Sequence, residues 1–402
     1  MGAKSILISG AGIGGPTLAF WLKAAGFEPT LVEHAPRFRE GGYIVDFWGL
    51  GYEIAEQMDL IGEINRVGYH MQELRLVDHQ GRRTSGFGAR AFRELTDGRF
   101  VTLVRSDLSR LLFERLEGQT EVLFGDTITA LLEDADGVRV QFKQAAERRF
   151  DLVIGADGLH SNVRRLIFGR QDQFEKYLGY VVAAVEAPGY RPRDENVYLM
   201  YGAPGRMLGR FALHDDRTLF LFVFTSDANP AELPAGIAEQ IAVLRTRFHR
   251  SEWECQSILD VAAHAPEVYF DRVSQIELDR WSRGRVALVG DAAFCVSLLG
   301  GQGSALAMTA AYVLAGELAS ARGDHREAFV RYEEVLRPYI RMKQEAARRF
   351  ASSFAPRTRW GLFLRDRVVN ACAIPGLATL AFGREMTDKL ILPNYRWSRP
   401  AM

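Results

Sequence analysis

The stretch Lys4-Ser5-Ile6-Leu7-Ile8-Ser9-Gly10-Ala11-Gly12-Ile13-Gly14-Gly15 decides the reading of this 402-residue chain. A short apolar run, Ser5 to Ser9, leads into G-x-G-x-x-G at Gly10, Gly12 and Gly15. Gly14 to Ala25 then carries Leu18, Trp21, Leu22 and Ala25 at helical spacing, Gly26 closes the helix, and Thr30 to Glu33 supplies a second strand. Strand, glycine turn, helix and strand together are the opening of a dinucleotide-binding domain. A pyrophosphate must come close to the backbone at a helix start, where free N–H groups and the helix dipole attract it and side chains would block it. Gly10, Gly12, Ile13, Gly14 and Gly15 are therefore the candidate phosphate cradle. Glu33, ending the second strand, is placed to accept hydrogen bonds from an adenosine ribose, which suits FAD or NAD over a 2′-phosphorylated nucleotide. The competing reading is a tight turn in an unrelated α/β protein, and the glycines alone do not say which dinucleotide is held.

Two later stretches have a related form. Asp151 to Ile154 is a buried strand running into Gly155-Ala156-Asp157-Gly158-Leu159-His160-Ser161-Asn162-Val163-Arg164. Arg285 to Val289 is another, running into Gly290-Asp291-Ala292-Ala293 and on to Gly301-Gln302-Gly303. A carboxylate buried at a strand end needs hydrogen-bond donors, and a ribityl chain offers hydroxyls. Each aspartate could equally cap a helix. Between the two lie Asn196 to Tyr201, Met207 to Leu213 and Thr218 to Thr225, a β-rich region. A long helix is expected from about Gln302 to Ser320, followed by helical pattern with breaks at Pro338, Pro356 and Pro375.

Composition bounds the function. Lys+Arg and Asp+Glu both total 50, so the net charge is zero and a nucleic-acid partner, which demands a basic face, is not expected. The basic cluster Arg341, Lys343, Arg348 and Arg349 reads as a solvated helix face. Three widely spaced cysteines, Cys255, Cys295 and Cys372, build neither a disulfide framework nor a zinc site, and the eight histidines form no metal cluster. No apolar run reaches the roughly 18 residues of a spanning helix. A cytoplasmic protein, monomer or homodimer, is the expectation. There is no G-x-S-x-G, so a serine hydrolase is not supported.

The three motifs, in this order and at these distances, resemble the FAD-dependent aromatic hydroxylases of the p-hydroxybenzoate hydroxylase fold, the group A flavoprotein monooxygenases, over residues 4 to 340. Within that family the chain is similar to the tetracycline-inactivating branch, on Gly41-Gly42-Tyr43-Ile44-Val45-Asp46, Glu252 to Leu259 and Ala311 to Leu318. The resemblance implies an α/β fold: a Rossmann-type FAD-binding domain of the GR2 type, with an inserted β-sheet substrate domain and C-terminal helices. The expected division is 1–75, 96–175 and 276–345 for FAD, 76–95 and 176–275 for substrate, and 346–402 as a helical segment. It implies that Asp157 serves FAD and, indirectly, NAD(P)H; that Asp291 holds the ribityl chain; that Arg105 reaches the flavin side of FAD; and that Gly42 also borders the cofactor. Gly301, Gly303 and Ser304 begin the helix aimed at the flavin N1–C2=O edge, where a helix start stabilises an anion by about 0.3–2 kcal/mol. NAD(P)H docks transiently in this family, and the sequence has no second G-x-G-x-x-G.

What the resemblance implies for chemistry is NAD(P)H-dependent oxygen insertion, through a flavin C4a-hydroperoxide, into an aromatic, phenolic or polyketide-like small molecule. No catalytic base is implied. In the family a proline usually stands where this chain has Leu298, in the loop beside the reacting flavin carbon; Ser297 precedes it. That departure keeps two alternatives open: an FAD-linked reductase or dehydrogenase of the same fold, and a non-catalytic dinucleotide-binding sensor. On the substrate side the candidates are Asp46 and Trp48, with Phe47 between them, and Tyr198, Met200, Arg210, Phe211 and Phe222. Phe220, Phe222 and Phe224 share one side of a strand, as pocket wall or as plain core. Arg210 is expected to pair with an anionic substrate or with Asp215 or Asp216. His160 and His34 read as structural or cofactor-proximal. The apolar segment Trp360 to Gly383 reads as a helix packing back on the domains, or as a membrane-surface helix.

Overall fold

The computed structural model describes residues 4–38, 42–116, 118–227, 233–377, 388 and 390–397. Gly41, and the part of Trp360 to Gly383 beyond 377, lie outside the described residues.

Among those residues, six strands form the dinucleotide-binding sheet in the order Ser282–Arg283, Val286–Leu288, Leu152–Gly155, Ser5–Ser9, Glu28–Glu33 and Glu121–Phe124. All but the first pair run parallel. Ile6, Leu7, Ile8, Val153 and Ile154 are wholly buried, as expected where helices cover both faces of a parallel sheet. The helices Gly14–Ala24 and Gly303–Ser320 pack on each other beside it. The second of these is buried nearly all round from Ala305 to Leu318, so it is a central helix of the core and not an amphipathic surface one.

Seven strands form the other main sheet, in the order Val268–Ile276, Glu175–Pro188, Arg217–Thr225, Arg206–Ala212, Val197–Ala203, Glu73–Val77 and Arg83–Gly88. Its neighbours are antiparallel except Val197–Ala203 with Glu73–Val77. One face is closed by the helices Ile237–Phe248 and Cys255–Ala262, whose Leu244, Phe248, Ile258 and Leu259 join Phe220, Phe222 and Phe224 in a dry core. Between the two sheets lies a ribbon, Ile44–Trp48 paired antiparallel with Phe100–Val104.

Pro338 does not break the chain: the helix His325–Phe354 runs through it. A proline inside a helix costs about 3 kcal/mol, and here Phe329, Tyr332, Leu336, Tyr339 and Ile340 are buried on either side of it, which holds both halves in line. Nor is Lys343 on a solvated face. It is 3% exposed and pairs at 2.9 Å with Asp388, which also accepts from Tyr339 and from the Leu50 backbone N–H at 2.9 Å. The tail around Asp388 is laid along the core: the Tyr395 hydroxyl donates to Glu317 at 2.6 Å, Tyr312 donates to the Pro393 carbonyl at 3.0 Å, and Trp397 stacks 4.6 Å from Trp21. The helix Arg359–Ala371 packs on Arg83–Gly88, with Thr84 bonded to Asp366 at 2.8 Å, and leaves Trp360, Phe363, Leu364 and Val368 exposed. Among the described residues no helix is long and apolar enough to cross a membrane.

One contact ties the two sheets directly. His160, from the turn after Leu152–Gly155, places Nε2 2.9 Å from Asp271 Oδ2 on Val268–Ile276. The Asp271 bond raises the imidazole pKa above its usual value against the opposing effect of burial. A raised histidine pKa contributes stability that is complete at mildly acidic pH and lost as pH rises through the folded value. His160→Gln is therefore expected to lower the unfolding temperature measurably near pH 6 and hardly at all above about pH 9, as read by thermal melts across that range.

Candidate active site

The glycine turn is folded hard against its own backbone. Gly10 has φ +105° and donates to the Val32 carbonyl at 2.8 Å; a Cβ there would sit 2.6 Å from the Ala156 carbonyl oxygen. A methyl on Gly15 would overlap the Gly10 carbonyl oxygen outright. Ile13, buried, immediately precedes the helix that Gly14 opens. Glu33 braces the turn, accepting from the Ala11 N–H through Oε2 and the Ala35 N–H through Oε1, both at 2.9 Å. An ionised carboxylate has about four acceptor positions, so these two bonds leave room for a sugar hydroxyl.

Asp157 takes the capping alternative. Its Oδ1 accepts from Ser161 Oγ at 2.5 Å, and its Oδ2 from the N–H groups of Asn162 and Val163 at 2.9 and 3.0 Å, at the start of the helix Asn162–Ile167. Its side chain is spent on that helix, and what meets the glycine turn is the Ala156–Asp157 backbone. Asp291 differs. It opens the short helix Asp291–Phe294, no protein hydroxyl bonds it among the described residues, and Oδ1 lies 3.8 Å from where a Cβ on Gly303 would stand. Burial pushes its carboxyl pKa up, while the charge of Arg105 pulls it down. The Arg105 guanidinium makes no ion pair among the described residues; its Nη2 is 3.4 Å from the Cβ position of Gly12, and its backbone N–H donates to Tyr43 at 3.0 Å.

These groups form one path. It runs from Gly10–Gly15 past Arg105 and Asp291 to Gly301, Gly303 and Ser304 at the start of the helix Gly303–Ser320. Gly42, with φ +113°, has nothing within 4 Å of its Cβ position, and Trp48 Cη2 stands 3.6 Å from that of Gly301. The Trp48 indole N–H is buried with no acceptor. An anion cradle, an unpaired cation, a carboxylate lacking hydroxyl partners and an orphaned donor fit a molecule with a pyrophosphate, a polyhydroxylated chain and a carbonyl-bearing ring.

Past the helix start, the ribbon faces the seven-stranded sheet. Val45, Phe47, Val101 and Leu103 point into the dinucleotide-binding core. Ile44, Phe100 and Val104 point the other way, where Tyr69, Phe211, Tyr198, Leu221 and Tyr269 meet them. Asp46 lies in that seam. Its Oδ1 accepts from Thr102 Oγ1 at 2.8 Å and from the Tyr198 hydroxyl, which is itself 2.6 Å from Thr102 Oγ1. Asp46, Tyr198, Tyr43, Tyr269 and Asp291 are all deep in the protein, yet each keeps accessible surface, so they border an internal space.

Tyr198 and Met200 are on the sheet face turned to this space; Phe222 is not. Phe220, Phe222 and Phe224 do share a side, but it is the side closed by helices, where Phe222 meets Phe248 at 5.3 Å. The residues between them, Leu219, Leu221 and Val223, are the inward set. Arg210 is on the helix side too: 4% exposed, it pairs with Asp194 and Glu254 and packs over Trp253, and it meets neither Asp215 nor Asp216. Strand parity groups these residues correctly but carries no label saying which group faces inward. Thr102, Tyr43, Tyr269 and Phe100 were missed; Thr102 stands directly opposite Asp46 in the ribbon register, a pairing that F-V-T-L-V beside I-V-D-F-W allows. At the Leu298 loop, Ser297 has φ +119° and its Oγ accepts from the Leu299 N–H at 3.2 Å, so a hydroxyl bond secures the turn that proline stiffens elsewhere.

Residues 4–339 match the FAD binding domain family. A flavin-dependent monooxygenase from an unknown prokaryotic organism is 36% identical over 85% of this chain and 88% of its own length. A flavin-dependent monooxygenase of Legionella longbeachae is 30% identical over 98% of both. The crystal structure of the tetracycline destructase Tet(51) superposes with a TM-score of 0.82 at 30% identity, covering 98% of this chain and 100% of the other.

Gly15→Ala is expected to yield folded protein that purifies without flavin absorbance, since the added methyl has no place against Gly10. Phe222→Leu is expected to cost about 1–3 kcal/mol in denaturant unfolding and to leave flavin content and ligand affinity unchanged, because it thins only the helix-side core.

Proposed function

The chain belongs to the FAD binding domain family and is an FAD-dependent monooxygenase, and from that premise we propose that it uses NAD(P)H to hydroxylate an aromatic, phenolic or polyketide-like small molecule. The observation that carries this reading is the convergence of the glycine turn, Arg105 and Asp291 on the start of Gly303–Ser320, directly beside the enclosed Asp46–Tyr198 seam. When bound, FAD supplies the redox chemistry, taking a hydride and activating O2.

The chain's own residues would then divide the remaining work. The Gly10 to Gly15 turn and its helix start hold the pyrophosphate. Glu33 takes the adenosine ribose and Asp291 the ribityl hydroxyls, so that a costly buried carboxylate gains donors. Arg105 balances the charge of the pyrophosphate and of Asp291. The N–H groups of Gly303 and Ser304 face the edge of the ring where negative charge accumulates on reduction. Met200, Phe100, Leu221 and Phe211 line an apolar wall, and with the Ser297–Gly301 loop they keep water from the reacting face. Substrate lies against Asp46, Trp48, Tyr198 and Met200. NAD(P)H would approach from outside near the Asp157–His160 turn, since among the described residues there is one glycine-rich dinucleotide cradle.

Purified protein carrying FAD, given NADPH, O2 and a panel of phenols and polycyclic enols, is expected to give a product heavier by one oxygen atom, labelled when the gas is heavy-isotope O2. Reductant consumption that ends only in hydrogen peroxide for every compound would oppose the hydroxylase reading.

A further inference from the structure

Asp46 is an incompletely satisfied carboxylate. Oδ1 accepts two hydroxyl hydrogen bonds, from Thr102 and Tyr198, while Oδ2 has no hydrogen-bond partner among the described residues. No cation compensates it: burial alone pushes its carboxyl pKa up, and only those two hydroxyls oppose the shift. Its surroundings are aromatic, with the Tyr198 ring 5.2 Å from Phe211, and Phe100 5.3 Å from Phe92 and 6.0 Å from Trp48. The two arginines nearest this chemistry are committed elsewhere, Arg210 to Asp194 and Glu254 behind the sheet, and Arg105 to the cofactor path.

We infer that Asp46 Oδ2 is the group that selects the substrate, accepting a hydrogen bond from a ring hydroxyl, enol or amine and turning away aromatic carboxylates. A carboxylate ligand would bring a second negative charge into a low-dielectric seam with no cation to share, whereas a hydroxyl or N–H donor supplies what the buried oxygen lacks. Thr102 and Tyr198 are positioning residues. They hold Oδ1 so that Oδ2 is presented to the ligand, and their two hydroxyls fill one oxygen and leave the other. The plain alternative is a clamp, in which Asp46 only joins the ribbon to the sheet. The inference rests on the monooxygenase reading for where the ligand lies, but it concerns binding alone.

The test titrates FAD-loaded protein with β-naphthol, β-naphthylamine and β-naphthoate, following perturbation of the flavin absorbance without NADPH, so that it is independent of turnover and of oxygen transfer. Wild type is expected to bind the naphthol and the amine about ten- to a hundredfold more tightly than the naphthoate, the range of a hydrogen bond to a charged group. Asp46→Asn keeps an oxygen for the two hydroxyls and puts an NH2 donor where Oδ2 stood. It is expected to weaken the naphthol about tenfold or more and to strengthen the naphthoate, reversing the order. Tyr198→Phe, which leaves the carboxylate in place, keeps the wild-type order. Equal affinities in wild type, no perturbation by any of the three, or an unchanged order in Asp46→Asn would each overturn the inference. Should Asp46→Asn lose its flavin, the wild-type comparison decides alone.

Discussion

Contact between two stretches of backbone, with no side chain between them, governs the cofactor half of the molecule. The Gly10 carbonyl lies where a methyl on Gly15 would be, and the Ala156 carbonyl lies where one on Gly10 would be. Three segments far apart in sequence are thus brought to van der Waals distance at the open ends of the parallel strands, and free N–H groups collect there. Glu33 locks the arrangement from the second strand. Larger residues would lift the helix Gly14–Ala24 off the sheet, and with it the helix Gly303–Ser320 packed against it.

The seam on the other side of that long helix is organised by alternation. The ribbon Ile44–Trp48 with Phe100–Val104 gives its odd and even residues to different bodies, one set to the dinucleotide-binding core and the other to the seven-stranded sheet. Asp46 and Thr102 fall in the second set and meet Tyr198 coming from the sheet. Two groups with opposite needs therefore stand within one enclosed space: Asp291 facing the charge of Arg105, and Asp46 facing only hydroxyls and rings. The difference in their neighbours separates a cofactor end from a substrate end.

How much of this could be read from the residues depended on whether local spacing carried the information. The glycine turn, the strand before it and Glu33 are contiguous, so their chemistry follows from order alone, and the FAD binding domain family match spans the stretch so read. Asp157 and Asp291 look alike in sequence, each at a strand end beside glycine, yet one caps a helix through Ser161 and the other does not. What separates them is the position of a helix start well along the chain at Gly303, which no local pattern contains. Phe222 and Arg210 were misplaced for a related reason: a period of two divides a strand into halves, but only the helices Ile237–Phe248 and Cys255–Ala262 decide which half is outer. Lys343 likewise looked solvated until Asp388 was brought beside it.

The bond from the Leu50 amide to Asp388 spans 338 residues. During synthesis the ribosome therefore releases the helix Leu50–Gln57, which continues directly from the ribbon, long before the carboxylate that caps it exists. Until the tail emerges, that helix start has an open amide and Lys343 has no Asp388 to neutralise, so the ribbon is hinged to an unfinished support. Assembly of the seam is thereby a late event in biogenesis, separated in time from that of the glycine turn, which is complete once the strand carrying Ala156 has been made.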